Sequence, residues 1–203
     1  MSEPAAAFYF DLASPLAYLA AERVLHVLPG PARWQPILAR ELPGAESFDA
    51  WRCGNEADVF RAEVERRAQE LSLQPLRWPD PFPFDSELAM RAATYAASIG
   101  RAVPFAQAAF RQAFAGGHSL ADPDFVLIAA AACEMHPNAI EQAMQREPVS
   151  AQLAQSTAQA RAAGVGDVPA IVLEGGVFAG ERALEQAAEQ MRTTAAATAS
   201  GAA

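Results

Sequence analysis

The chain reads as an α/β protein with the order βαβ, then a large all-helical insertion, then ββα. Three observations carry that reading. A short aromatic run, Phe8-Tyr9-Phe10-Asp11, passes through Ser14-Pro15 straight into an apolar helix and is followed by a second apolar run at Arg33–Ala39. Between about residues 45 and 163 almost every segment carries apolar residues at helical spacing. The chain then returns to β-pattern, where Val168-Pro169 precedes the β-branched stretch Ala170–Leu173, a two-glycine turn and Val177-Phe178.

Taken in order, Phe8–Asp11 predicts a strand, and Pro15 to about Leu28 a helix ended by Pro29-Gly30-Pro31. Arg33–Ala39 completes a βαβ unit, which implies a parallel pair with a right-handed crossover. Glu56–Leu71 spaces Val59, Phe60, Val64, Ala68 and Leu71 as one helical face. Arg77–Phe84 holds three prolines and predicts a broken loop. Further helices are predicted over Glu87–Ile99, stopped by Gly100, over Pro104–Ala115, stopped by Gly116-Gly117, and from Asp122-Pro123 to about Glu134. Pro137 and Pro148 each mark another helix start. A last helix is expected over Ala183–Met191, with a frayed, disordered tail from 193 to 203. The expected organisation is 1–44 with 164–203 as one domain in two segments, and 45–163 as the helical insertion. A ligand cleft between the two parts follows from that plan.

With 52% hydrophobic and 19% charged residues, the 203-residue chain has the composition of a globular protein with a sizeable core. A net charge of −9 argues against nucleic acid or an anionic membrane as partner. All the basic side chains are arginine, which excludes a lysine Schiff base or a phosphate-binding loop that needs lysine. The opening Met1-Ser2-Glu3-Pro4 shows no basic region followed by an apolar one, and no run is long enough to span a membrane, so a cytoplasmic location is expected. Cys53 and Cys133 match no metal or redox spacing and read as plain thiols. His26, His118 and His136 are scattered, with no spacing for zinc or for a catalytic triad, so no metal is expected.

Ser14 admits two readings. Serine at an N-cap with proline at the first helical position is ordinary helix-start chemistry. The same position also aims a hydroxyl and unpaired backbone N–H groups at whatever anion lies there. Thioredoxin-like proteins place their reactive sulfur at this junction, but here Ser14 and Ala17 stand where a Cys-x-x-Cys pair would be.

From Phe8 to Phe178 the chain resembles thioredoxin-fold proteins of the DsbA family, and within it the cysteine-lacking branch of kappa-class glutathione transferases and 2-hydroxychromene-2-carboxylate isomerases. The motifs are Phe10-Asp11-x-x-Ser14-Pro15-x-x-Tyr18-Leu19, Gly54-Asn55, Phe82-Pro83-x-Asp85, Ala89-Met90-Arg91-Ala92, Phe110-Arg111 and Val168-Pro169. The resemblance implies that Ser14 contacts the sulfur of a low-molecular-weight thiol, that Asn55 helps hold it, and that Val168, before a cis Pro169, pairs with its peptide-like part. Three features depart from the pattern. Lysine is absent after Gly54-Asn55, Phe114 stands for a lid tryptophan, and Gly180-Glu181-Arg182 shifts by one position or loses the acid that binds a γ-glutamyl amine. Glutathione and another thiol such as mycothiol therefore both remain open.

On this resemblance the thiolate adds to a small electrophile, a bond rotates or a group transfers, and Ser14 acts as stabiliser. Asp85 and Arg77 are candidates for orienting substrate oxygens, against helix capping and a solvated loop residue respectively. Tyr18 is a candidate on the first helix, against plain packing. Glu63, Glu65, Arg66 and Arg67 read as one charged helix face. The family's helical domains often form dimers, so a homodimer is an implied partner beside the thiol and substrate. Two competing readings are a DsbA-type disulfide oxidoreductase, which the missing Cys-x-x-Cys opposes, and a binding protein that has lost the chemistry.

Overall fold

The computed structural model describes residues 6–44, 54–180 and 182–201. Four strands form one mixed sheet in the order β2-β1-β3-β4. Strand β1 (Ala6–Phe10) lies at its centre, parallel to β2 (Ala32–Pro36) and antiparallel to β3 (Ala170–Leu173). Strand β4 (Gly176–Ala179) pairs antiparallel with β3 through the expected two-glycine hairpin. The register sets Phe8 beside Trp34 on one side and Ile171 on the other.

Every residue of β1 is buried, because both sheet faces are covered. Alternation sends Phe8 and Phe10 to one face, where they meet each other, Trp34 and Phe110. It sends Ala7 and Tyr9 to the other, into a smaller cluster with Ile37, Leu42, Val165 and Val168. Burying a side chain such as Phe8 contributes about 2–3 kcal/mol.

The first helix differs from expectation in being two. Helix α1 (Pro15–Ala21) ends at Glu22, and a separate turn, α2 (Val24–Val27), follows. The break falls where two side chains are committed to distant partners. Glu22 receives both arms of Arg111 at 2.8 Å, and Arg23 bonds Glu185 at 2.7 Å.

The insertion is helical: α3 (Gly54–Glu70), α4 (Glu87–Ser98), α5 (Ala102–Phe114), α6 (Pro123–Ala131), α7 (Pro137–Gln145) and α8 (Glu147–Ala162). Pro104 sits inside the first turn of α5, two residues beyond its start, where a missing N–H costs nothing. Helix α4 is rich in alanine and carries six buried residues, which lets α5, α7, α8 and β2 all pack against it. The final helix, α9 (Ala183–Gly201), continues through the segment expected to be disordered. Alanine is the best helix former, and the Thr193 and Thr194 hydroxyls donate to the carbonyls of Glu189 and Gln190. Val59, expected on the apolar face, is 71% exposed.

An ion cluster ties the sheet to the insertion. Arg40, just after β2, bonds Asp85 at 2.6 Å and also Glu87, and Glu87 bonds Arg91 one turn along α4. The Arg40 and Arg91 hydrogen bonds hold the Glu87 carboxyl below its ordinary value. A carboxyl with a lowered folded pKa contributes stability above its unfolded value and loses it as pH falls through the folded one. Glu87→Gln is therefore expected to cost about 1 kcal/mol at neutral pH, since the pair is partly solvent-screened. The deficit should shrink below about pH 4.5, in urea denaturation followed across pH. A deficit that does not change with pH would contradict it.

Candidate functional site

The β1–α1 turn is built on Asp11, which is almost wholly buried. Its carboxylate accepts from the Ala13 N–H at 2.9 Å and from the Ala39 N–H at 2.8 Å, and the Ser86 hydroxyl also donates to it. Its carbonyl accepts from the Ser14 N–H at 3.0 Å. One residue thus joins the turn, the exit of β2 and the start of α4. Burial pushes the Asp11 carboxyl up, against the downward pull of the Ala13, Ala39 and Ser86 hydrogen bonds and the Arg40 charge. Sequence reading quoted Asp11 within a motif and gave it no role. The available signal was a carboxylate placed between Phe10 and Leu12 in an otherwise apolar run.

Held this way, Ser14 is the N-cap of α1, with extended backbone and its Oγ accepting from the Ala17 N–H at 3.1 Å. Capping uses a lone pair of the hydroxyl, while its O–H remains a donor. Of the first-turn positions, Pro15 has no N–H and Ala17 donates to Ser14, so Leu16 supplies the spare backbone donor. The two sequence readings of Ser14 are therefore compatible in one geometry. Ser14 is 2% exposed, so a ligand atom reaches it only by displacing what covers it.

The Val168-Pro169 bond is cis. Pro169 lines a narrow pocket together with Leu16 of α1 and Gly180, so the proline turn faces the first helix across that pocket. Val168 is buried, and its N–H donates to the Asp167 side chain at 2.7 Å. Burial raises the Asp167 carboxyl above its ordinary value, and the Val168 bond opposes the rise.

The other sequence candidates are placed as follows. Asn55 opens α3, in the first turn of that helix. Glu181 lies outside the described residues. Asp85 accepts from the Glu87 N–H at 2.9 Å, capping α4, and pairs with Arg40. Arg77 is exposed in the proline loop, anchored by its N–H to the Phe114 carbonyl at 2.8 Å. Tyr18 is buried against Phe114 and Phe110, at ring distances of 5.6 and 6.2 Å. Burial, with Glu22 nearby, raises its phenol above the ordinary value, while the Arg111 charge pulls it down. Leu16, two residues after Ser14, and Pro169 line one pocket, whereas Asp85 lies in the Arg40 ion cluster. Among the described residues no group of three His, Cys, Asp or Glu gathers to hold a metal, and no helix is long and apolar enough to cross a membrane.

Residues 6–192 match the family of DSBA-like thioredoxin domains. No curated protein matches in sequence. Among solved structures, a 2-hydroxychromene-2-carboxylate isomerase superposes with TM-score 0.82 at 18% identity, covering 96% of this chain and 98% of that one. A probable DsbA oxidoreductase from Streptomyces coelicolor gives 0.78 at 16% identity, over 94% and 89%. The cytosolic disulfide reductase DsbM from Pseudomonas aeruginosa, whose structure is known also with GSH, gives 0.62 at 17% over 93% and 97%. Likeness at such identities establishes the shared fold.

Asp11→Asn keeps the shape but turns an NH₂ toward one of the donors that a carboxylate satisfies. It is expected to cost about 2 kcal/mol in urea denaturation. Hydrogen exchange should show the Ala13 and Ala39 amides losing protection first; unchanged protection at both would contradict the role given to Asp11.

Proposed function

We propose that this chain, which belongs to the family of DSBA-like thioredoxin domains, binds a low-molecular-weight thiol beside Ser14 and stabilises it as thiolate. In this reading the thiolate then serves an isomerisation or transfer on a small electrophilic, aromatic substrate. One observation carries the proposal: a capping serine whose O–H is left to donate, at the cysteine-free start of a helix whose Leu16 shares a pocket with the cis Pro169.

The chemistry follows from hydrogen bonding. A thiol at neutral pH is mostly protonated and a poor nucleophile. Helix α1 has seven residues, and two of its first three N–H groups are absent or taken, so its dipole adds little. The Ser14 O–H···S⁻ bond is the main contribution, about 1.5–3 kcal/mol for a charged partner. That is roughly one to two pKa units, enough to make the thiolate a major species near neutrality. Leu16 N–H adds a second donor to the same atom. Glutathione and mycothiol both supply such a sulfur. Asn55 at the start of α3 and Val168 are the proposed holders of the rest of the thiol. Asp85, already a cap and an Arg40 partner, is a weak candidate for substrate contact, as is Tyr18, whose ring is packed in the core against Phe114.

Support comes from the isomerase being among the folds most like this one over nearly its full length, and from the reductase DsbM, which has a structure with GSH. A disulfide-exchange reading draws on that reductase too. Dithiol exchange needs two sulfurs at the junction, and Ser14 and Ala17 supply none. The chain is expected not to reduce insulin.

Ser14→Ala should raise the pKa of the bound thiol by about one to two units, read from thiolate absorbance near 240 nm. Because alanine also removes the cap, Ser14→Gly is the matched control: glycine caps at a cost of only a few tenths of a kcal/mol. Both variants should show the same upward shift; an unshifted thiol in either would remove Ser14 from the chemistry.

A further inference from the structure

Two backbone groups of the cis Val168-Pro169 turn are already engaged within the protein. Proline has no N–H, and the Pro169 carbonyl accepts from the Gly180 N–H at 3.1 Å. The Val168 N–H is the one backbone donor of the turn, and it donates to the Asp167 carboxylate at 2.7 Å. Among the described residues the Val168 carbonyl accepts no hydrogen bond. The turn therefore keeps its acceptor and covers its donor.

Asp167 is backed into that contact from the other side. The segment after β2 docks on the same loop, where the Gly44 N–H donates to the Gly166 carbonyl at 2.8 Å. A Cβ at residue 44 would stand 2.6 Å from that carbonyl oxygen and 3.2 Å from Asp167 Cβ, an approach that glycine alone permits. The Asp167 side chain is thus packed between the Gly44 backbone and the Val168 N–H. Burial raises its carboxyl despite the Val168 bond, so one donor does not make up for the water it has lost. Sequence reading gave Asp167 no role.

We propose that Asp167 is an internal competitor at the turn: its carboxylate occupies the Val168 N–H that a peptide-like ligand needs for its own carbonyl, and such a ligand pairs fully only when the side chain withdraws. This rests on the thiol reading above, in which Val168 holds the peptide-like part of the thiol, and deepens it. An extended peptide pairs with a single residue through two bonds, its N–H to the residue's C=O and its C=O to the residue's N–H. With Asp167 in place the first of these can form and the second cannot, because the ligand carbonyl meets a carboxylate instead of a donor. The contact lowers affinity for any ligand that relies on both bonds. It favours one that brings an N–H donor to the turn over one that brings a carbonyl alone.

The test is calorimetric titration of glutathione and S-methylglutathione on the wild-type chain, Asp167→Ala and Asp167→Asn, with melting curves to confirm folding. The first substitution uncovers the Val168 N–H and removes the charge; the second removes the charge but keeps an oxygen within reach of the N–H. Asp167→Ala is expected to bind both ligands about tenfold more tightly than wild type, and Asp167→Asn to gain no more than about threefold. In the free protein the Val168 amide should exchange faster in Asp167→Ala than in wild type, and bound ligand should restore its protection. Should Asp167→Ala not fold, Asp167→Glu replaces it: the charge stays, the oxygens sit one methylene too far, and a gain larger than that of Asp167→Asn is expected. Equal gains in Asp167→Ala and Asp167→Asn would reduce the carboxylate to a repelling charge and overturn the competitor role. If wild type binds glutathione and no variant gains, the role falls while the thiol reading stands. If neither ligand saturates any form at millimolar concentration, both fall.

Discussion

The Asp11 carboxylate is the constraint on which the site depends. It accepts from the turn at Ala13, from the exit of β2 at Ala39 and from Ser86 at the head of α4. Those three segments belong to the sheet and to the insertion, so one buried carboxyl group fixes the head of α4 relative to the first helix. Taking a carboxyl group out of water has a cost that its three donors reduce without cancelling, since burial still prevails in raising its pKa. The position of Ser14 inherits that rigidity, since its N–H bonds the carbonyl of the same residue. The Arg40–Glu87–Arg91 cluster repeats the tie on the surface, where solvent weakens it.

Much of the fold was legible because its signals are local. Proline and glycine at 29–31, the hairpin after Pro169 and the Asp122-Pro123 cap each act within a few residues, and each element stands where those residues put it. The division of the first helix was not legible, since it turns on Arg111 and Glu185, which are remote in sequence. Nor was the helical tail, where weak individual propensities of alanine sum over a segment that packs against nothing obvious in the sequence. At the site, the Ser14 cap and the Val168-Pro169 bend were readable from their motifs. The buried bond from Asp11 to Ala39 was not, because the two residues are 28 positions apart and only the fold brings them together.

Capping and thiolate stabilisation are often set against each other for a serine at a helix start. At Ser14 the cap takes a lone pair of the hydroxyl for Ala17, and the proposed thiolate bond would use the O–H. Buried Ser14 makes entry a displacement event, so binding is expected to be slower than diffusion allows.

The most direct measurement is a crystal structure of the chain grown with glutathione. The account predicts the sulfur within hydrogen-bond reach of Ser14 Oγ and Leu16 N, with the peptide part of the ligand alongside Val168-Pro169. A ligand bound elsewhere, or a sulfur facing away from Ser14, would contradict it and leave the serine as a helix cap alone.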